Sequence, residues 1–190
     1  MKRSLGRKAL ALPSPVWVIG SYDSAGVANL MTAAWGGICC SKPPAVSVSL
    51  REATYSFANL VDREAFTVNV PSASQVRIAD YLGIVSGRDV DKFAAAGLTP
   101  VRSEYVDAPY VAEFSLNLEC RLIHTHKIGL HTLFVGEIAN VLVDEEAAGE
   151  KGCPRVLAVQ PIVFSAGEQS YYGVGERIGS AFEIGRDLIV

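Results

Sequence analysis

At 190 residues, with a net charge of −3 and 19% charged side chains, the chain has neither the basic field that draws nucleic acid nor an acidic tract that would keep it unfolded. Hydrophobic residues make up 49%, enough for the core of one domain over residues 1–190. The apolar run after Lys2, Arg3, Arg7 and Lys8 is stopped by Pro13 and Pro15, too early for a signal-peptide core, and no stretch approaches the roughly 20 apolar residues a bilayer demands. The expectation is a soluble, cytoplasmic protein with no nucleic-acid or membrane partner.

In chain order, Pro13 to Pro15 hold the backbone extended, and Val16–Gly20 reads as a strand of β-branched and aromatic residues. Tyr22–Gly26 is a turn, Val27–Trp35 returns, and a loop with Gly36, Gly37, Pro43 and Pro44 leads into the strand Ala45–Arg51. That strand alternates strictly, with Val46, Val48 and Leu50 on one face and Ser47, Ser49 and Arg51 on the other. The first row is core. The second offers two hydroxyls and a guanidinium, which suit phosphate oxygens, although by pattern alone such a row is more commonly a solvated face.

A short helix is expected over Ala53–Arg63, a strand over Ala65–Val70, and a helix capped by Ser72 and running to about Leu82, with Val76 and Ala79 inward. Asp89 is the expected cap of a brief helix that Gly97 ends. Phe114–Thr125 and His131–Asp144 form the clearest hairpin, turning around Gly129. Arg155–Val159 and Ile162–Ser165 read as further strands.

Many short strands with few helices argue for an antiparallel barrel with helical insertions over a doubly wound sheet. Gly173–Gly179 has the spacing GxGxxxG, with too little chain after it for a dinucleotide-binding unit. Cys39, Cys40, Cys120 and Cys153 include no CxxC pair, so mostly small buried hydrophobes are expected, without a zinc site or disulfide framework. His124 and His126 alternate on one strand face, yet no carboxylate or thiol spacing joins them, and no metal is assigned.

Seven segments occur in a telling order: Pro15–Val16 with Gly20–Asp23, Asn29–Trp35, Cys40–Pro44, Ser49–Arg51, Ala65–Thr67, Ser86–Phe93 and Gly129–Glu137. Through them the sequence resembles the flavin reductase-like, FMN-binding split-barrel family, and within it the flavoredoxins. The resemblance implies a mainly β fold with helical insertions, a six-stranded antiparallel Greek-key split barrel, a homodimer, and FMN near the subunit interface. It further implies that Asn29, Met31, Thr32 and Ala33 lie along the flavin, that Ser49, Leu50 and Arg51 engage its chain and phosphate, and that Tyr55 and Ser56 bring a hydroxyl and helix N-terminal amides to the phosphate. Ser86, Gly87 and Lys92 match a loop on the ribityl and phosphate side.

Trp35 would pack by the ring or across the dimer contact, with a plain core role equally open. His131 would meet the flavin or an incoming nicotinamide, while a structural role is the commoner one for a strand histidine. Tyr171 or Tyr172 would close over the site or pack in the dimer. The implied activity is movement of electrons from NAD(P)H or a redox-protein partner through FMN to an acceptor, with no catalytic side chain required. Two alternatives stand beside it: an FMN electron carrier without nicotinamide turnover, and a flavin-free binding or structural dimer.

Overall fold

The computed structural model describes residues 1–189. After the short β1 (Ser14–Pro15), the hairpin β2 (Trp17–Tyr22) and β3 (Ala28–Ala33) turns on Asp23, whose Oδ1 accepts from the amides of Ala25 and Val27 at 2.9 and 2.8 Å. A second hairpin, β4 (Gly36–Ser41) and β5 (Pro44–Arg51), is followed by α1 (Tyr55–Arg63) and β6 (Ala65–Asn69). Next come α2 (Val76–Ile84), α3 (Lys92–Ala96), β7 (Pro100–Arg102) and β8 (Pro109–Val111). The long hairpin β9 (Leu116–Ile128) and β10 (His131–Val143) leads to the single turn α4 (Val156–Val159), then β11 (Ile162–Ser165) and β12 (Ser170–Gly173).

Seven strands form one antiparallel sheet in the order β3-β2-β6-β9-β10-β5-β4, one strand more than expected. Its two outermost strands, β3 and β4, are joined by Ala34 and Trp35 alone. In a flat sheet seven strands wide they would stand about 29 Å apart, whereas two residues span only about 11 Å. The sheet must therefore curl until its edges approach, and the β4–β5 ladder runs right up to the tether, with the Ser49 amide donating to Trp35 O at 2.8 Å. This is a split barrel, as the resemblance implied.

β2 buries both of its faces. Ile19 points into the barrel with Val46, Val48, Leu50, Phe66, Cys120 and Phe134, while Val18 points out to a second core that α2 and α3 cover with Ala79, Leu82 and Phe93. Arg63, in the last turn of α1, ties the helix to the β2–β3 turn through Asp23 O and to Asp107 at 3.1 Å.

Several local expectations are corrected. The Gly36–Pro44 loop is mostly strand β4, whose Gly36 packs against Trp17 where a larger residue would not fit, and whose bulge between Ile38 and Cys40 bends the edge. Arg155–Val159 is a helical turn, the brief helix before Gly97 is capped by Asp91, not Asp89, and Cys39, Cys40 and Cys153 are exposed. Cys120 alone behaves as the buried hydrophobe expected, with its thiol pKa pushed up by desolvation.

β9 is divided along its length. From Asn117 to Arg121 it is paired on both sides, by β6 and β10, and beyond Leu122, whose amide donates to Glu64 O at 2.8 Å, it pairs with β10 only.

Gly20 lets β8 approach β2, since a Cβ there would lie 2.2 Å from Pro109 O and 2.4 Å from Thr67 Oγ1. Gly20→Ala is expected to cost about 3 kcal/mol, the upper range for overpacking, read as a lowered urea midpoint; an unchanged midpoint would contradict the close approach.

Candidate functional site

A cleft of about 270 Å³ opens where the free edge of β3 meets the first turn of α1 and the loop after α2. Because β3 pairs only with β2, its other edge leaves backbone N–H and C=O groups for a ligand. Met31 and Thr32 form that wall, Ala53–Ser56 the second, and Gly83–Arg88 with the buried Lys92 the third.

The start of α1 is built to meet negative charge. Its first amides have no intrahelical acceptor, no side chain caps them, and the first turn holds no acidic residue. Ser56 is fixed in place because its Oγ accepts from Nδ2 of the buried Asn29 at 2.9 Å. Gly87 closes down on this pair so tightly that a Cβ would stand 2.0 Å from Asn29 Oδ1 and 2.8 Å from Tyr55 Cδ1. Loop, strand and helix are locked together at that point.

Tyr55 donates its hydroxyl to Asp23 Oδ2 at 2.8 Å, which raises the phenol pKa. Asp23 is held below the usual carboxylate range, chiefly by the Val27 amide. The expected Tyr55 hydroxyl is thus committed elsewhere, leaving its ring and amide to the cleft. Arg88 lies over that ring, 5.4 Å from its centroid, and donates to Ala53 O at 3.1 Å, so a guanidinium stands at the mouth. Thr32 Oγ1 donates to Ala79 O at 2.5 Å, binding β3 to α2. Lys92 Nζ donates to Leu82 O at 2.8 Å, and burial pulls its pKa down to about 8.

Of the residues singled out from the sequence, Met31, Thr32, Tyr55, Ser56, Ser86, Gly87 and Lys92 line this cleft. Asn29 lines the adjoining hollow beyond Tyr55 and Arg88. The other candidates lie apart from it. Ala33 and Leu50 are buried in the barrel core, so only their backbone remains for contact, and exposed Trp35 borders a separate hollow beside Pro13–Pro15.

Ser49 and Arg51 share the outer sheet face with Leu133 and His131, their partners in register on β10, and with His126 and Ile128 beyond them on β9. Tyr171 packs on Phe164 and donates to Asp80 at 2.9 Å, outside the cleft, as is Tyr172. Ala53, Thr54 and Arg88 were missed. Arg88 lies within the Ser86–Phe93 segment, and its place two residues after Ser86 was the available signal. Among the described residues no group of three or more His, Cys, Asp or Glu could hold a metal ion, and no helix is long and apolar enough to cross a membrane.

A curled antiparallel sheet with an anion-ready cleft at its split edge defines a small class of ligand-binding barrels. The chain belongs to the flavin reductase like domain family, whose model matches residues 9–171. A solved structure, the flavoredoxin of Desulfovibrio vulgaris (Miyazaki F), is 49% identical over 98% of this chain and 100% of its own, with a TM-score of 0.94. The flavoredoxin from Methanosarcina acetivorans is 29% identical over 100% of both chains, with a TM-score of 0.92. An uncharacterized protein of Archaeoglobus fulgidus is 34% identical over 60% of this chain, and the match spans 64% of that relative's length.

Lys92 makes stability depend on pH. Its folded value of about 8 lies below the ordinary 10.5, so the unfolded chain binds the proton more tightly and the charged form opposes folding. That penalty is full below about 8 and fades as pH rises to 10.5. Lys92→Met should therefore lose a rise in unfolding free energy that the wild type shows between these pH values; parallel stability curves would refute the buried charge.

Proposed function

We propose that this protein is an FMN flavoprotein of the flavin reductase or flavoredoxin type, taking electrons from NAD(P)H or a redox partner and handing them to an acceptor, and working as a cytoplasmic homodimer. The observation that carries this reading is the convergence of the uncapped α1 N-terminus, the Ser86–Gly87 loop, Arg88 and Lys92 on one cleft. These donors suit a phosphate monoester whose remaining length lies along the free edge of β3. When bound, FMN supplies the chemistry, accepting a hydride or single electrons and releasing them.

The chain's own groups bind and orient. The amides of Tyr55 and Ser56 and the loop at Gly87 cradle phosphate oxygens, and Arg88 adds charge-assisted hydrogen bonds from the mouth. Lys92 neutralises negative charge from the floor. Asn29 holds Ser56 in position, while the backbone of Met31, Thr32 and Ala33 addresses the ring. Ser49, Leu50 by its backbone, and Arg51 serve the far side of the ligand together with Trp35 and His131, on the face where the second subunit stands.

A carrier role without nicotinamide turnover is a second reading, favoured by a sheet in which every pairing is antiparallel and no dinucleotide-binding βαβ unit exists among the described residues. Its donor would be another redox protein.

An anaerobic visible spectrum of the purified protein, before and after NADH or NADPH, tests the proposal. A flavin spectrum that bleaches promptly is the expected result, one that stays oxidised selects the carrier, and a colourless protein that fails to take up FMN overturns both. Arg88→Ala should weaken FMN binding by about tenfold to a hundredfold, the worth of one charged hydrogen bond, and leave riboflavin binding unchanged. Equal losses for both flavins would remove Arg88 from the phosphate.

A further inference from the structure

The residues after β12 form an arm that its own chain does not bury. Within Val174–Ile189, Ile178 is 95% and Phe182 94% exposed, and Ile184, Leu188 and Ile189 are exposed as well. The arm is nonetheless shaped. Ile184 N donates to Ser180 O at 3.0 Å, Arg177 to Ser180 Oγ at 2.6 Å, and Arg186 Nε to Phe182 O at 2.8 Å. Phe182 itself sits in the left-handed backbone region at φ 62, which for an aromatic residue costs about 1–2 kcal/mol. A strained, ordered turn that holds a phenylalanine out in water has no compensation within the chain.

Beside the arm lies a groove of about 620 Å³ between α4 and Val174–Gly179, floored by Val156 and Leu157, themselves 54% and 60% exposed. Together the apolar side chains of arm and floor expose on the order of 900 Å², close to one side of a standard protein interface. Ile178 shares the groove with Val156, Leu157 and Val174, so the exposed apolar side chains there adjoin one another. The arm's charges, Glu176, Arg177, Glu183, Arg186 and Asp187, include both signs, as a surface complementary to itself requires. The likeness to the Methanosarcina acetivorans flavoredoxin covers 100% of this chain, arm included, so this course is not peculiar to one sequence.

We propose that the groove between α4 and the arm is the seat of a second copy of this chain, whose own arm fills it with Phe182 and Ile178 as anchors. The contact is isologous: each arm covers the other copy's Val156 and Leu157. The inference rests on the homodimer proposed above and adds the element that holds it together.

Sedimentation velocity of the full chain across a range of concentrations tests it, with far-ultraviolet circular dichroism to verify folding. The double variant I178D/F182D and, separately, Leu157→Asp should each raise the dimer dissociation constant a hundredfold or more while the monomer stays folded. Dimers of unchanged affinity in both variants would overturn the arm's role and leave the homodimer standing. A wild-type chain that is monomeric at tens of micromolar would overturn both, and one that is monomeric and also sediments with phospholipid vesicles would reassign the arm to a membrane surface.

Discussion

Everything at the cleft depends on how the sheet closes. Two residues, Ala34 and Trp35, join its outermost strands, and that short tether forces the curl that puts the core residues of β2, β5, β6, β9 and β10 inside one barrel. The same constraint leaves β3 with an unpaired side. A fully closed barrel would have used those N–H and C=O groups on a neighbouring strand, leaving none for a ligand. The split is thus at once the weak point of the sheet and the place where a long, flat molecule can hydrogen-bond to backbone.

Side chains then fix what the backbone opens. Asn29 reaches from β3 to Ser56 at the start of α1, and Gly87 brings the third wall into contact with both. A parallel chain of contacts runs from Asp23 through Tyr55 to Arg88, so the turn between β2 and β3 positions the guanidinium at the mouth. Arg63 anchors that turn from the other end of α1. The walls come from sequence positions far apart, yet each is tied to the next by a hydrogen bond or a close glycine contact. Such pre-organisation lowers the ordering cost of binding.

Much of this was legible in the sequence. Strict alternation in Ala45–Arg51 gave the correct inward row, and the Ser72 and Gly97 signals marked real helix boundaries. What failed did so for physical reasons. Gly36 and Gly37 signal a turn locally, but packing against Trp17 demands a small residue at Gly36 inside a strand, so tertiary contact overrode propensity there. Cys39 and Cys40 were expected inside because cysteine is usually buried, whereas they lie on the sheet's edge strand, and burial at an edge is not encoded by residue type. For the cleft, seven of the residues named from family likeness line it, while Leu50 does not because alternation itself turns it into the core. Arg88 was overlooked because its neighbours read as a charged solvated loop, and only its stacking on Tyr55 reveals another use.

The two halves of β9 belong to different regimes of motion. Its first half, held by β6 and β10 around Cys120, cannot separate without breaching the barrel core. The second half, with the Ile128 and Leu130 tip, hangs on β10 alone and is exposed on both faces. One continuous strand therefore spans from the slowest-opening part of the molecule to a part that can fray on its own, with the step falling at Arg121 and Leu122. His131 stands at the border between the two, paired with Ile128 on the frayable segment and with Arg51 of β5 on its other side. A hairpin tip can in this way be loose while the barrel that carries it stays rigid.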